Sequence, residues 1–215
     1  MEEAADEVVN FLYQGFSKPD SETRSVALVR CFKTHLFGCL PVRLQNLALM
    51  RMNGIVPSSG MRCLTLLASR GDEPAWNGRL GSERHQVVPL PTSQIVEEAP
   101  MVSRLIQQMG LELEHVVGVP ADLLVDLEQR SFNVFHVEEA RGSEYVPAQE
   151  TFVARHGVRS VLGMGGLLPS GDLFVVVMFS RVRITRETAE MFRTLALSVK
   201  LVLLPFSGGR VFVED

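Results

Sequence analysis

Two apolar runs near the end of the chain, separated by a few turn-forming residues, constrain the fold more than any other feature. Arg159 to Leu168 and Leu173 to Phe179 flank Leu168-Pro169-Ser170-Gly171. Proline at the second position and glycine at the fourth are what a type I turn demands, so the two runs read as a β-hairpin. The second run, Leu-Phe-Val-Val-Val-Met-Phe, shows no polar alternation. A strand of that kind is central in its sheet and covered on both faces. Thr185 then offers an N-cap to a closing helix, with Glu187 and Glu190 opposing the helix dipole. Along that helix Phe192, Leu195, Ala196, Val199 and Leu203 form one stripe, and Leu197, Leu201 and Leu204 make the remaining surface apolar too. Such a helix must be buried, by the sheet or by a neighbouring copy.

Upstream, the pattern is read as three helices before any strand. Val8 to Phe16 is short and amphipathic and stops at Lys18-Pro19-Asp20. A second helix is expected from Thr23, carrying Leu28, Cys31, Phe32 and His35 to Gly38, and a third runs from Pro41 with Leu44, Leu47, Ala48 and Arg51 to Gly54. Met61 to Ser69 has the composition of a buried strand, and Gln86 to Leu90 is its expected hairpin partner. Ser93 to Met109 is helical in period with a break or restart at Pro100. A short helix from Pro120 to Gln129 and a strand from Phe132 to Val137 follow, and Thr151 to His156 reads as a helical turn. The expected organisation is a helical N-terminal preface over 1–57, an α+β domain over 58–206, and a tail or linker start over 207–215.

With 46% hydrophobic and 21% charged residues, 215 residues are ample for one packed domain. The net charge of −4 and the absence of basic runs give no footprint for nucleic acid. Glu2, Glu3, Asp6 and Glu7 occupy the place where an export signal would be basic. Leu201 to Phe206 falls far short of a spanning helix. Cys31, Cys39 and Cys63 show no C-x-x-C spacing, so neither a disulfide framework nor a zinc site is indicated and reduced thiols in a cytoplasm are expected, with no membrane insertion.

No motif carries catalysis. Gly163-Met164-Gly165-Gly166 lacks the following helix and the G-K-[ST] of a phosphate loop, so strand packing is the better account of its glycines. His35, His85, His115, His136 and His156 have no metal-ligand spacing, and neither haem ligation through His136 or His85 nor a His136, Glu138 and Glu139 cation site has a motif behind it. His35 and Cys39 stand four apart, but Gly38 and Pro41 break any helix that would align them as a thiolate pair. No cofactor is supported by motif, and the expected catalytic and metal residues are none. Trp76, Phe135, His136 and Tyr145 combine apolar area with a polar tip in or beside loops, and are the ligand-pocket candidates.

The segment His156-Gly157-Val158-Arg159-Ser160-Val161-Leu162-Gly163, followed by Gly171 to Ser180 and then by Thr185 to Leu204, resembles the C-terminal half of a GAF domain. In that family a G-[IV]-R-S-x-L strand, a hairpin, a strand ending in x-F-S and a closing helix recur in this order. The likeness runs from Phe152 to Leu204 by motif and from Met61 to Leu90 by strand pattern, and the whole chain is similar to sensor regions ahead of PAS, histidine-kinase or diguanylate-cyclase modules in bacterial signalling proteins. The resemblance implies a central antiparallel sheet of about six strands flanked by helices, a small-molecule cavity on one face, and first and last helices that pair in homodimers. The N-K-F-D-E pattern of cyclic-nucleotide binders is absent, and the cysteines precede Phe32, Leu40 and Leu64 where a bilin site has Cys-His. The expected function is therefore a non-catalytic sensory or regulatory domain in signal transduction. It would bind an unidentified small molecule or dimerise, and signal through Phe192, Leu195, Val199 and Leu203 of its closing helix. The alternatives are a cysteine-dependent redox enzyme on the same fold, similar to free-methionine sulfoxide reductases, and an interaction scaffold whose cavity its own side chains fill.

Overall fold

A computed structural model of the chain describes residues 1–16, 24–52, 54–82, 85–118, 133–208 and 211–213. In chain order its elements are α1 (Glu2–Gly15), β1 (Val26–Leu36), α2 (Val42–Arg51), β2 (Arg62–Gly71), α3 (Gly78–Gly81), β3 (Val87–Leu90), α4 (Ser93–Glu97), α5 (Pro100–Gln108), α6 (Leu113–Gly118), β4 (Val134–Val137), a π-helical turn (Gln149–Ala154), β5 (Ser160–Leu167), β6 (Leu173–Ser180), α7 (Arg186–Glu190) and α8 (Arg193–Leu203). The six strands form one sheet in the order β3-β2-β1-β6-β5-β4, with every neighbouring pair antiparallel. The α+β class, the six-stranded antiparallel sheet and the flanking helices are as the sequence led us to expect.

The β5–β6 hairpin forms as read. Gly171 N donates to the Leu168 carbonyl at 2.8 Å, and Gly171 takes φ +75°, which a glycine adopts without strain. Every residue of β6 is buried, and it lies between β5 and β1. Gly165 is required by close approach: a Cβ there would stand 2.1 Å from the Phe174 carbonyl oxygen of the neighbouring strand. Pro100 starts α5 afresh after α4, whose N-cap Thr92 accepts from Ile95 N.

The largest correction concerns residues 26–36. They are not the second of three helices but β1, the strand between β2 and β6. The sheet therefore begins inside the 1–57 segment read as a helical preface, and among the described residues of that segment α1, α2 and a short 3-10 turn at Phe37–Cys39 are what is helical. A strand covered on both faces is apolar at consecutive positions, and the run Val-Ala-Leu-Val-Arg-Cys-Phe satisfies a helical period by accident. The closing helix is also broken, into α7 and α8, around Met191 and Phe192. Thr185 does cap α7, accepting from Thr188 N at 3.3 Å. Beyond α8 the chain is no free tail: Phe212 is buried, and Glu2 N donates to the Val211 carbonyl at 2.9 Å. The expected cap at Thr23 and helix over 120–129 lie outside the described residues.

Two cores sandwich the sheet. On what we call the terminal face, α1, α2, α8 and Phe212 cover Val29, Cys31, Cys63, Leu67, Met164, Phe174, Val176 and Met178. On the medial face, α4, α5, α6 and the π-helical turn cover Leu28, Leu64, Phe135, Val161, Val175, Val177 and Phe179. Ion pairs Asp6–Arg70 (2.9 Å) and Glu2–Arg79 (3.1 Å) fasten α1 to the sheet and the β2–β3 connection. Among the described residues no helix is long and apolar enough to cross a membrane.

Candidate functional site

The medial face is where polar chemistry and aromatic area meet. Strand pairing lays its side chains out in rows. One row runs Phe135, Gly163, Val177, Arg30, Ser69 across β4, β5, β6, β1 and β2. Phe135 closes over Gly163, whose added Cβ would meet the Phe135 Cβ at 3.0 Å. The next row along the strands contains Phe179, Leu28 and Gly71. Trp76 lies against this row so closely that a Cβ on Gly71 would stand 2.8 Å from its ring. Trp76 also packs edge-on to Phe152 (centroids 5.3 Å apart) and to His156 (4.5 Å), and Phe152 packs edge-on to Phe179 at 5.0 Å. These are favourable edge-to-face arrangements that fix one corner of the face.

Arg30 is the anomaly in this apolar layer. Its surface is 7% exposed, yet its one hydrogen bond among the described residues is a long one, from Nε to Ser69 Oγ at 3.4 Å, and no described carboxylate pairs with it. Burial lowers its pKa to about 10, which still leaves the guanidinium charged at neutral pH. Two other buried cations are matched. Lys33 donates to Asp172 at 2.7 Å and Arg79 to Glu2 at 3.1 Å.

The four pocket candidates do not converge. Trp76, Phe135 and Tyr145 are on the medial face, with Arg104 over the Tyr145 ring at 5.2 Å. His136 points to the opposite side, where its Nε2 donates to the Ile184 carbonyl at 2.7 Å beside Val134 and Leu162. Strand alternation is the reason, since neighbours on β4 face opposite ways. An apolar cleft of about 310 Å³ lies elsewhere, between α2 and α4–α5 beside β3, walled by Met52, Ile55, Leu90, Ile95, Val96 and Val102.

The four closing-helix candidates pack inward. Val199 and Leu203 are buried, and Phe192 and Leu195 are half-buried against the same core. The outer side of α8 presents Leu197 (48% exposed) and Leu201 (61%) instead, with Val202 and Phe206 also exposed.

A second polar cluster ties β1 to the β5–β6 turn on the other face. Asp172 accepts from Lys33 Nζ (2.7 Å), Arg62 Nη1 (2.9 Å) and Ser170 Oγ (2.8 Å). Burial raises the Asp172 pKa, but these neighbours outweigh it and hold the carboxyl below its ordinary range. Next to it His35 Nδ1 meets Thr65 Oγ1 at 2.5 Å, while its Nε2 is sealed without a partner. Cys31 and Cys63 are buried on the terminal face and burial pushes each thiol up to about 12, whereas Cys39 is exposed in a turn. Glu138 is taken up by Arg183 at 2.8 Å, and among the described residues no three His, Cys, Asp or Glu side chains gather where a metal could be held.

Sequence reasoning missed Arg30, because a charge in a supposed helix is assigned to its wet side. The available signal was an arginine inside the apolar run Val-Ala-Leu-Val-Arg-Cys-Phe. No known protein-family model and no curated protein matches this chain.

Proposed function

We propose that this chain is a non-catalytic sensory or regulatory domain of GAF-like fold, dimeric through the outer side of α8 and responsive on its medial face to a small molecule. The sheet order and its two helical layers accord with the GAF-like pattern of the final third. The observation that carries the reading is the exposed stripe of α8. From Arg193 to Phe206 its exposed positions are Arg193, Thr194, Leu197, Ser198, Leu201, Val202, Pro205 and Phe206, and the one charge among them stands at the helix start, where Arg193 pairs with Glu190 at 2.7 Å. Beyond Arg193 the stripe carries no charge, so a second copy can bury it without stranding an ion. Because α1 and α8 touch each other on the terminal face, a shift across that interface is felt by both helices. A ligand acts on such a device through its differential affinity for two packings.

The redox alternative is disfavoured by its thiols. That alternative draws on Cys31, Cys39 and Cys63. A nucleophilic cysteine must be a thiolate, and Cys31 and Cys63 are protonated at neutral pH and sealed away from the medial face. This leaves Cys39, exposed in a turn, as its one accessible thiol. Sedimentation velocity on the whole chain tests the dimer. At about 10 µM the wild type should sediment as a dimer and the L197E/L201E variant as a folded monomer. A wild type that stays monomeric ends this reading.

A further inference from the structure

We propose that Arg30 anchors a binding site for a small organic monocarboxylate on the medial face of the sheet. The proposal deepens the sensory reading by naming a ligand class, and it rests on the medial face being the responsive side.

A guanidinium offers five N–H donors in a planar fork. At Arg30 one of them is engaged, weakly, and the described residues supply no counter-charge. Lys33 and Arg79, which are buried to a similar degree, each hold a carboxylate, and Arg30 differs from both in this respect. A full charge taken out of water without a partner is costly, and an anion reaching it removes most of that cost. The shape of the missing partner follows from the neighbours. Positions beside Arg30 in its own row are Val177 and Ser69, and those one row away are Leu28, Phe32, Val175, Phe179, Leu66 and Gly71, none of them charged. One cation in an aliphatic and aromatic layer suits one negative charge. A phosphate dianion calls for further cations or a ring of backbone donors, whereas a carboxylate takes the bidentate fork alone and accepts from the Ser69 hydroxyl. The body of the ligand is apolar for the same reason. Phe135 ends the Arg30 row three strands away, and Trp76 covers Gly71 in the next row along the strands.

The experiment uses the full chain with benzoate and octanoate as probes, benzamide as the uncharged control and inorganic phosphate as the competing anion. Binding is read by titration calorimetry and by the fluorescence of Trp76, the one tryptophan. The expected result is saturable 1:1 binding of at least one carboxylate, no binding by benzamide, and a loss of about tenfold or more in R30M with a smaller loss in R30K. Without ligand, R30M should melt at or above the wild-type temperature. The proposal is overturned by carboxylate binding that survives R30M, by phosphate binding in preference to both carboxylates, or by no saturable carboxylate binding up to about 10 mM. It is equally overturned if R30M lowers the melting temperature by about 6 °C or more, the signature of an arginine already held by a carboxylate of the chain. Sedimentation of R30M alongside L197E/L201E keeps the two readings apart: failure of Arg30 with the α8 result intact rejects the ligand class and leaves the dimer standing.

Discussion

His35 is kept neutral by everything around it. Burial lowers its pKa most, the charge of Lys33 lowers it further, and Asp172 with the Lys33 carbonyl opposes them, leaving it at about 3. Thr65 gives its hydroxyl proton to the Lys33 carbonyl, so the ring carries its own proton on Nδ1 and leaves Nε2 bare in a sealed space. A second proton would add a buried donor with no acceptor. The sign follows: below pH 6.5 the unfolded chain takes up a proton that the folded one refuses. Stability is thus complete above that pH and falls by about 1.4 kcal/mol per pH unit on the way down to about 3. In H35Q, urea midpoints between pH 4 and 6.5 should lose most of that slope; an unchanged slope assigns the acid sensitivity elsewhere. Arg30, Lys33 and His35 share an origin in β1; while β1 read as a helix, His35 fell on its apolar side with Leu28, Cys31 and Phe32, but Arg30 and Lys33 were not legible as buried. Trp76 and Phe135 were legible as apolar area with a place near a loop or strand end, but the face each one serves is set by pairing with residues far along the chain.

At the scale of the element, what could be read was what is local. The β5–β6 turn, the Thr185 cap and the restart at Pro100 depend on residues within a few positions of one another. β1 depends on Asp172, 139 residues beyond Lys33, and on β6 further still, and its double burial erases the alternation that marks a strand. The Asp172 cluster is the fastening of that long-range pairing. In D172N, Lys33 keeps its burial and loses its counter-charge, so the variant should be less stable by about 3 kcal/mol in urea denaturation, with the slope of the transition unchanged. A loss below about 1 kcal/mol would mean that Lys33 reaches solvent once released. The closing helix shows the converse limit. Its all-round apolar pattern announced burial but not the partition between sheet and outside, which depends on where α8 settles against β5.

As a whole, the molecule is a sheet with two unlike sides, and its first and last described residues meet on one of them. Phe212 packs on His35 with ring centroids 5.4 Å apart and lies under Arg79 at 4.8 Å, while Val213 N donates to Glu2 Oε2 at 3.0 Å. The terminal segment therefore belongs to the terminal-face core. F212A should cost about 3 kcal/mol and open the His35 ring to water. Its pKa would climb from about 3 toward 6.5, seen by following the ring protons in an NMR titration; a ring that still refuses protonation at pH 5 shows that Phe212 is not what seals it.

The meeting of Glu2 with Val211 and Val213 also decides how the body responds to force. Tension applied between residues 2 and 213 falls first on the hydrogen bonds of a single clasp, which break in succession, and the six strands are spared a pull along their length. Anything tethered at either of these points is hinged to the same corner.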